Sequence, residues 1–245
     1  GVGVTGIAHR GAEGGSVATT AGPISYRTLV IAAGVWARTV GRMLGVALPV
    51  ASLEHQYAVT ETRAGLPRDL PALRDPDLNF YLKPEAGGYA IGGWEPETVA
   101  VHGSNMPMDF GRALLPDNLD RLQPILEAAA RRIPVLSTLG LKTIINGPIP
   151  VTPDGEPILG PAPGLDNVFL AVGFTSGIAA SGGAGRVLAS WIASGRPDFE
   201  VPSLDPRRFG TTEMAVGELH RRAVAAYAGY YALEGTSGQT IGGPS

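Results

Sequence analysis

The stretch from Val172 to Leu188 constrains the fold more than any other part of the chain. An apolar run typical of a buried strand leads directly into a helix predicted over 177–194, which Gly195 closes. Glycine in a helix costs about 1 kcal/mol relative to alanine, and the first half of this helix contains three: Gly182, Gly183 and Gly185. Something must therefore lie close to this backbone. Tight packing of the helix on a sheet is one explanation. A phosphate or an electron-rich ring held at the helix N-terminus is the other.

A second strand-turn-helix unit lies near the amino terminus of the chain. The continuous apolar run from Thr28 to Ala33 predicts a strand that is covered on both faces. Gly34 ends this strand, and the spacing of apolar residues from Val35 to Leu44 predicts a helix. Glycine at the carboxyl end of a buried strand lets a ligand approach the backbone, although many such glycines serve only the turn.

The middle of the chain is rich in predicted strands. They cover Glu54–Thr60, Asn79–Lys83 and Gly88–Trp94, and the last two are predicted to form a hairpin. A helix follows, with Asp117 as its predicted N-cap and Pro134 beyond its end.

Two further strands are predicted at Leu141–Ile145 and Asn167–Val172, separated by a loop from Pro148 to Pro163. From Asp205 the chain becomes more polar, and 235–245 is predicted to be a flexible tail. Strands that alternate with helices, together with a separate β-rich stretch, indicate an α/β or α+β fold.

Composition excludes several kinds of site and partner. The 245 residues include no cysteine, so disulfides, thiolate metal sites and a cysteine nucleophile are excluded. A formal net charge of −3 without a basic block argues against nucleic acid or an anionic membrane as the main partner. No apolar run is long enough to span a membrane. The four histidines lack the spacing of metal ligands, so we predict no metal site.

Several of these segments, taken in order, resemble the carboxyl-terminal part of flavin-dependent amine oxidoreductases of the D-amino-acid oxidase superfamily. The likeness is greatest to the dimethylglycine/sarcosine dehydrogenase and oxidase branch, and it extends to about residue 232. The spacing G-x-G-x-x-G occurs once, at Gly1, Gly3 and Gly6, but no predicted helix follows it, so it is not the nucleotide-binding fingerprint. The segments that carry the resemblance are Leu29–Ala37, Glu54–Tyr57, Asn79–Lys83 with Gly92, Asn146–Gly160, Gly173–Leu188 and Asp205–Gly210.

The resemblance implies part of a Rossmann-like FAD-binding domain with an inserted antiparallel-sheet substrate domain. It predicts a partial FAD-binding domain at 1–50, a substrate-binding sheet at 51–140, a return to the FAD-binding domain at 141–204, and an extension at 205–245. The cofactor is expected to be FAD. Its predicted contacts are Ala33, Gly34, Trp36, Pro153, Asp154, Gly173, Phe174, Thr175, Ser176, Gly177 and Ile178.

The expected reaction is oxidation of a secondary or tertiary amine, such as dimethylglycine or sarcosine, to an imine that hydrolyses with release of formaldehyde. The resemblance makes His55 and Tyr81 the predicted catalytic residues; from its residue type alone, a lone histidine such as His55 is more often structural. Relatives often carry two consecutive tyrosines at the positions of Phe80 and Tyr81, and this chain has phenylalanine at the first of them. Some carry a cation where this chain has Ala179 and Ala180.

Two other functions remain compatible with the sequence. One is a non-catalytic scaffold or interaction subunit of a flavoenzyme complex, and the other is a dehydrogenase or oxidase of primary or cyclic amines. Because the family's nucleotide-binding segment is expected upstream, we predict a missing amino-terminal half or a partner chain. No targeting signal is visible, so the predicted compartment is the cytoplasm.

Overall fold

The structure, a computed structural model, describes residues 1–85, 87–103, 105–111 and 113–231. Its strands are β1 (Val4–His9), β2 (Gly15–Thr19), β3 (Gly22–Tyr26), β4 (Leu29–Ile31), β5 (Ala51–Thr60), β6 (Leu73–Asp75), β7 (Phe80–Glu85), β8 (Gly88–Gly93), β9 (Leu141–Val151), β10 (Ile158–Pro161) and β11 (Val168–Val172). Its α-helices are α1 (Ala37–Arg42), α2 (Leu119–Arg132), α3 (Gly177–Ser194) and α4 (Val216–Ala228). The combination confirms the predicted mixed α/β class with an antiparallel sheet.

The chain divides into two compact units. Unit 1 comprises 1–53, 99–113 and 148–226, and unit 2 comprises 54–98, 114–147 and 227–245. No helix in the described part of the chain is long and apolar enough to cross a membrane. The predicted tail, 235–245, lies outside the described residues.

Unit 1 contains two three-stranded sheets. In the first, β1, β2 and β3 form an antiparallel meander. In the second, β11 is central, with β10 antiparallel on one side and β4 parallel on the other. The core of this unit includes Ile31, Leu48 and Leu170. Val187 and Leu188 of α3 form a smaller cluster with Leu159.

The structure corrects the prediction for the strand at 28–33. Strand β4 covers only three residues, and Val30 is 41% exposed, so the strand is not covered on both faces within the described part of the chain. The helix predicted after it begins as a 3₁₀ turn, Gly34–Trp36, and continues as α1.

Unit 2 is built on a five-stranded sheet with the order β6-β7-β8-β5-β9. Phe80, Leu82 and Ile91 of this sheet pack with Leu122 and Ile125 of α2 in one buried cluster. Helix α2 is amphipathic because its apolar residues recur at helical spacing, and that face is buried.

The N-cap of α2 is Asn118, not the predicted Asp117. Its side chain accepts a hydrogen bond from the backbone N–H of Arg121 at 3.1 Å. Asn and Asp are about equally good N-caps, so the sequence alone does not distinguish two such neighbours.

Two further differences concern the second half of the chain. The loop predicted from Pro148 to Pro163 contains the end of β9 and all of β10. Helix α4 lies in the segment predicted to be a polar extension. One side of this helix is fully buried, at residues spaced four apart: Leu219, Ala223 and Tyr227.

Candidate functional site

Unit 1 contains an apolar cleft of about 420 Å³. It lies where the parallel strands β4 and β11 both end, which is the edge at which open α/β sheets bind ligands. The residues that line it are Val30, Ala32, Gly34, Pro150, Ala171, Val172, Gly173, Phe174, Gly177, Ser181, Ala184, Gly185 and Leu188.

Glycine is required where both strands leave the sheet. Gly34 and Gly173 have φ angles of +53° and +74°, in the left-handed region that disfavours residues with a Cβ atom. A methyl group on Gly173 would also overlap the side chain of Thr152, whereas one on Gly34 would meet nothing within 4 Å. The two turns therefore present backbone, rather than side chains, to the cleft.

The N-terminal half of α3 forms one side of the cleft. The N–H groups of its first turn have no partners within the helix, and no acidic residue lies there to neutralise the positive end of the helix dipole. An apolar cleft of this size, bordered by a helix N-terminus, suits an electron-rich ring such as the isoalloxazine of FAD.

The glycines of α3 are not explained by packing within the described part of the chain. A Cβ atom on Gly182, Gly183 or Gly185 would have no neighbour within 4 Å. Ile178, on the first turn, is 96% exposed. The expected tight packing of this helix on a sheet is therefore not seen at these glycines.

Of the predicted cofactor residues, four line the cleft: Gly34, Gly173, Phe174 and Gly177. Trp36 donates its indole N–H to the carbonyl of Pro107 at 2.8 Å. The Asp154 carboxylate accepts a hydrogen bond from Arg208 Nε at 2.7 Å. The cleft lining does not include Ala33, Trp36, Pro153, Asp154, Thr175, Ser176 or Ile178.

Unit 2 brings His55 and Tyr81 together. His55 is on β5 and Tyr81 is on β7, and the Tyr81 hydroxyl lies 3.0 Å from His55 Nε2. Gly92 of the intervening strand β8 pairs with both Tyr81 and Tyr57. A methyl group on Gly92 would overlap the Tyr81 hydroxyl, so glycine there leaves the room that this contact needs. Phe80, next in sequence to Tyr81, is fully buried in the core of unit 2.

The His55–Tyr81 pair continues into a chain of hydrogen bonds. His55 Nδ1 lies 2.7 Å from the Tyr227 hydroxyl, which in turn lies 3.3 Å from Glu95 Oε2. Gln56 Nε2 donates to Glu95 Oε1 at 2.6 Å. Gln56, Glu95 and Tyr227 are all 0–1% exposed, so this end of the hydrogen-bond chain is shielded from water, whereas His55 and Tyr81 are partly buried.

Burial determines the protonation of these groups. It lowers the pKa of His55 to about 4, because an imidazolium would lose its hydration. Burial, with the nearby Glu95 charge, raises the pKa of Tyr227 well above its usual range, and burial does the same for Tyr81. Burial also raises the pKa of Glu95, opposed by the Gln56 hydrogen bond and the charge of Arg121.

Three residues of this hydrogen-bond chain were not predicted from the sequence: Gln56, Glu95 and Tyr227. Gln56 lies inside the segment Glu54–Tyr57, and Glu95 directly follows β8, but neither position has a local signal for burial. Tyr227 was detectable, because it continues the four-residue spacing of apolar residues on α4. Among the residues that the structure describes, no group of three His, Asp or Glu side chains could hold a metal ion.

A family model described as "FAD dependent oxidoreductase" matches residues 1–191.

Two curated relatives are similar along most of the chain. The mitochondrial dimethylglycine dehydrogenase of Mus musculus is 40% identical over 204 residues, which is 79% of this chain and 23% of the relative. The mitochondrial sarcosine dehydrogenase of Mus musculus is 38% identical over 212 residues, covering 84% of this chain and 23% of the relative. The chain thus spans about a quarter of the length of these relatives.

Among solved structures, the chain is similar to the L-proline dehydrogenase of P. horikoshii. The TM-score is 0.69 at 23% identity, covering 87% of this chain and 55% of that one. This similarity concerns the fold.

Proposed function

The chain belongs to the family of FAD dependent oxidoreductases, and from this premise we propose that it takes part in the oxidation of a secondary or tertiary amine of the N-methyl amino acid class. The observation that carries the proposal is the hydrogen-bonded pair His55–Tyr81 in a chain about 40% identical to a dimethylglycine dehydrogenase.

In this proposal the apolar cleft of unit 1 holds FAD through Gly34, Gly173, Phe174 and Gly177. Bound FAD supplies the redox chemistry by accepting a hydride from the carbon next to the amine nitrogen. The N-terminus of α3 contributes N–H groups and a positive dipole end, which favour negative charge on a ring beside it. The predicted contacts outside the cleft lining, among them Trp36 and Asp154, stay predictions.

Unit 2 handles the substrate amine. An amine can release hydride from its neighbouring carbon only as the neutral base, because the nitrogen lone pair must assist. With its pKa near 4, His55 is neutral at pH 7, so its lone pair readily accepts a hydrogen bond, but it accepts a proton from the substrate ammonium only against the difference in pKa. Tyr81, whose raised pKa keeps its hydroxyl protonated, lies within hydrogen-bond distance and can relay that proton.

The product imine is expected to hydrolyse in water and, when an N-methyl group is oxidised, to give formaldehyde. Two alternatives are distinguished by experiment: a non-catalytic subunit, and an oxidoreductase for primary or cyclic amines. The named relatives are mitochondrial, and the compartment of this protein stays a prediction, as does a separate nucleotide-binding half or partner.

The first test is the visible absorption spectrum of the purified 245-residue chain, with FAD added and unbound FAD removed, before and after acid precipitation. We expect flavin bands that pass into the supernatant for non-covalent FAD and stay in the pellet for covalent FAD. A chain without flavin bands would mean either that FAD binding needs the nucleotide-binding half expected upstream or that the chain is a non-catalytic partner.

A matched pair of variants tests where the flavin lies. Gly177 lines the cleft, and a Cβ atom there has ordinary contact with Phe174 at 3.6 Å. We therefore expect Gly177→Val to weaken FAD binding without disturbing the helix. Gly183→Val, on the same helix but outside the cleft lining, is the control. Equal flavin affinity in both variants would contradict this placement.

The substrate class is tested with the flavin-loaded protein. Dimethylglycine and sarcosine are compared with glycine, D-alanine and proline, and both dye reduction and formaldehyde are measured. The proposal predicts dye reduction with formaldehyde for the two N-methyl compounds. Faster reduction by a primary or cyclic amine, without formaldehyde, would favour the second alternative.

A further inference from the structure

The imidazole of His55 lies between two tyrosine hydroxyls, one at each ring nitrogen. Nδ1 is 2.7 Å from Tyr227, and Nε2 is 3.0 Å from Tyr81. A neutral imidazole has one N–H and one lone pair. Whichever nitrogen carries the proton therefore decides whether Tyr81 donates a hydrogen bond to His55 or accepts one from it.

The direction is determined by Glu95, whose partner Gln56 lies at the far end of the chain of hydrogen bonds. Gln56 Oε1 accepts the backbone N–H of Asn118 at 2.6 Å, while its Nε2 donates to the Asn118 carbonyl at 3.2 Å. These two contacts orient the amide of Gln56. If the amide were flipped, its NH₂ group would face the N–H donor of Asn118 and its oxygen would face the carbonyl acceptor of Asn118. The NH₂ group of Gln56 must then face Glu95, so Glu95 Oε1 is an acceptor.

Glu95 continues this direction toward His55. Burial raises the pKa of Glu95, whereas the hydrogen bond from Gln56 and the charge of Arg121, whose Nε lies 3.7 Å from Glu95 Oε1, favour the ionised carboxylate, which the proposal takes as the form at neutral pH. A carboxylate can only accept, so the Tyr227 hydroxyl donates to Oε2. The Tyr227 oxygen then accepts from His55 Nδ1–H, which leaves the lone pair on Nε2.

We propose that Glu95 and Tyr227 are positioning residues, which hold His55 in the Nδ1–H tautomer so that the Tyr81 hydroxyl donates to Nε2. The Tyr81 oxygen then keeps its lone pairs for an N–H group of the substrate. This role toward the substrate rests on the proposed function in amine oxidation. Tyr227 lies outside residues 1–191 that the family model matches.

The consequence for substrate handling is a specific proton path. An ammonium N–H donates to the Tyr81 oxygen, and its proton passes to that oxygen as the Tyr81 proton passes to Nε2; the transfer is uphill, because burial lowers the pKa of His55. The amine becomes neutral, Tyr81 stays neutral, and His55 becomes the imidazolium, with Nδ1–H still bonded to Tyr227. In the opposite tautomer Nε2 already carries a proton, so it cannot accept another.

The tautomer is measured directly by ¹⁵N NMR of the imidazole rings in the labelled 245-residue chain at neutral pH. Protonated and unprotonated ring nitrogens of neutral histidine resonate far apart, and His55→Gln identifies the signals among the four histidines. We expect His55 to show a protonated Nδ1 and an unprotonated Nε2. A protonated Nε2 in the wild-type chain would overturn the proposal, whatever the variants do.

Glu95→Gln reverses the chain with almost no change of shape. The new amide must keep its oxygen toward the NH₂ group of Gln56, so its own NH₂ faces Tyr227. Tyr227 then donates to Nδ1, and we expect the proton of His55 to move to Nε2. In Tyr227→Phe the link is broken, so adding Glu95→Gln should leave the His55 signals unchanged. A tautomer that Glu95→Gln does not change would contradict the proposal.

Tyr26→Phe is the matched control. Tyr26 forms another His–Tyr contact, with its hydroxyl 3.2 Å from His9 Nδ1 in unit 1. This variant should alter the His9 signals and leave those of His55 unchanged. Because the readout needs neither flavin nor substrate, failure of the amine-oxidation proposal in the activity assays would leave the tautomer result intact, and the reverse also holds.

Discussion

Gly173 tests whether the cleft depends on backbone geometry that only glycine allows. The residue follows β11 directly, with φ at +74°. Placing an L-residue with a Cβ atom in the left-handed region costs about 1–2 kcal/mol. In addition, a methyl group would overlap Thr152, which is fully buried and donates its hydroxyl to the carbonyl of Glu156 at 2.7 Å. Thr152 therefore cannot move away without losing a buried hydrogen bond.

Overpacking of this kind costs about 1–3 kcal/mol, so we expect Gly173→Ala to lower the free energy of unfolding by about 2–5 kcal/mol in total. Gly34→Ala is the matched control, because Gly34 borders the same cleft with φ at +53° but has open space around the added methyl group. That variant should show only the conformational cost of about 1–2 kcal/mol.

The assay is urea denaturation of the 245-residue chain followed by tryptophan fluorescence, since Trp36 and Trp191 both lie in unit 1. The informative quantity is the difference between the two variants, about 1–3 kcal/mol, which reports the overlap with Thr152 alone. If Gly173→Ala were no more destabilising than Gly34→Ala, the reasoning about this turn would be refuted.

Three further predictions concern unit 2. Burial holds the pKa of His55 near 4, below its unfolded value of about 6.5, so between these values the unfolded chain binds a proton that the folded chain does not. The free energy of unfolding should therefore fall by about 3 kcal/mol as the pH falls from 6.5 to 4. Urea denaturation at each pH measures this dependence, and His55→Gln should remove that part of it. Gly92→Ala should displace the Tyr81 hydroxyl and lower the turnover of flavin-loaded enzyme about as much as Tyr81→Phe, and wild-type turnover would contradict the role of this contact. Asn118→Ala should cost about 1 kcal/mol through loss of the N-cap, whereas Asp117→Ala should stay within about 0.5 kcal/mol, as measured by thermal unfolding; the reverse order would restore Asp117 as the cap.

Much of the fold could be predicted from sequence patterns that involve only residues close together in the chain. The helix over 177–194 was predicted with its observed bounds, because its start follows a strand and Gly195 closes it with φ at +74°. The hairpin of β7 and β8 was equally visible, since two short strand-like segments flank a short turn. Such features depend on neighbours in sequence, so periodicity and turn residues are sufficient to find them.

Patterns of short range failed where the deciding contact is distant in sequence. The apolar run at 28–33 predicted a fully covered strand, but the sheet leaves Val30 exposed within the described part of the chain. The segment after 205 was predicted to be an extension, because polar residues dominate it. Helix α4 forms there nonetheless, since one residue in four is buried by tertiary packing.

The candidate site divides in the same way. Sequence alone determined the family resemblance, the expectation of FAD, and the choice of His55 and Tyr81, because these depend on residue types in a fixed order. Only the tertiary structure brought Tyr227 to His55, across 172 residues of sequence, and Glu95 to Tyr227, across 132 residues. The direction of those hydrogen bonds depends on which buried group can only accept, and burial is a property of the folded chain.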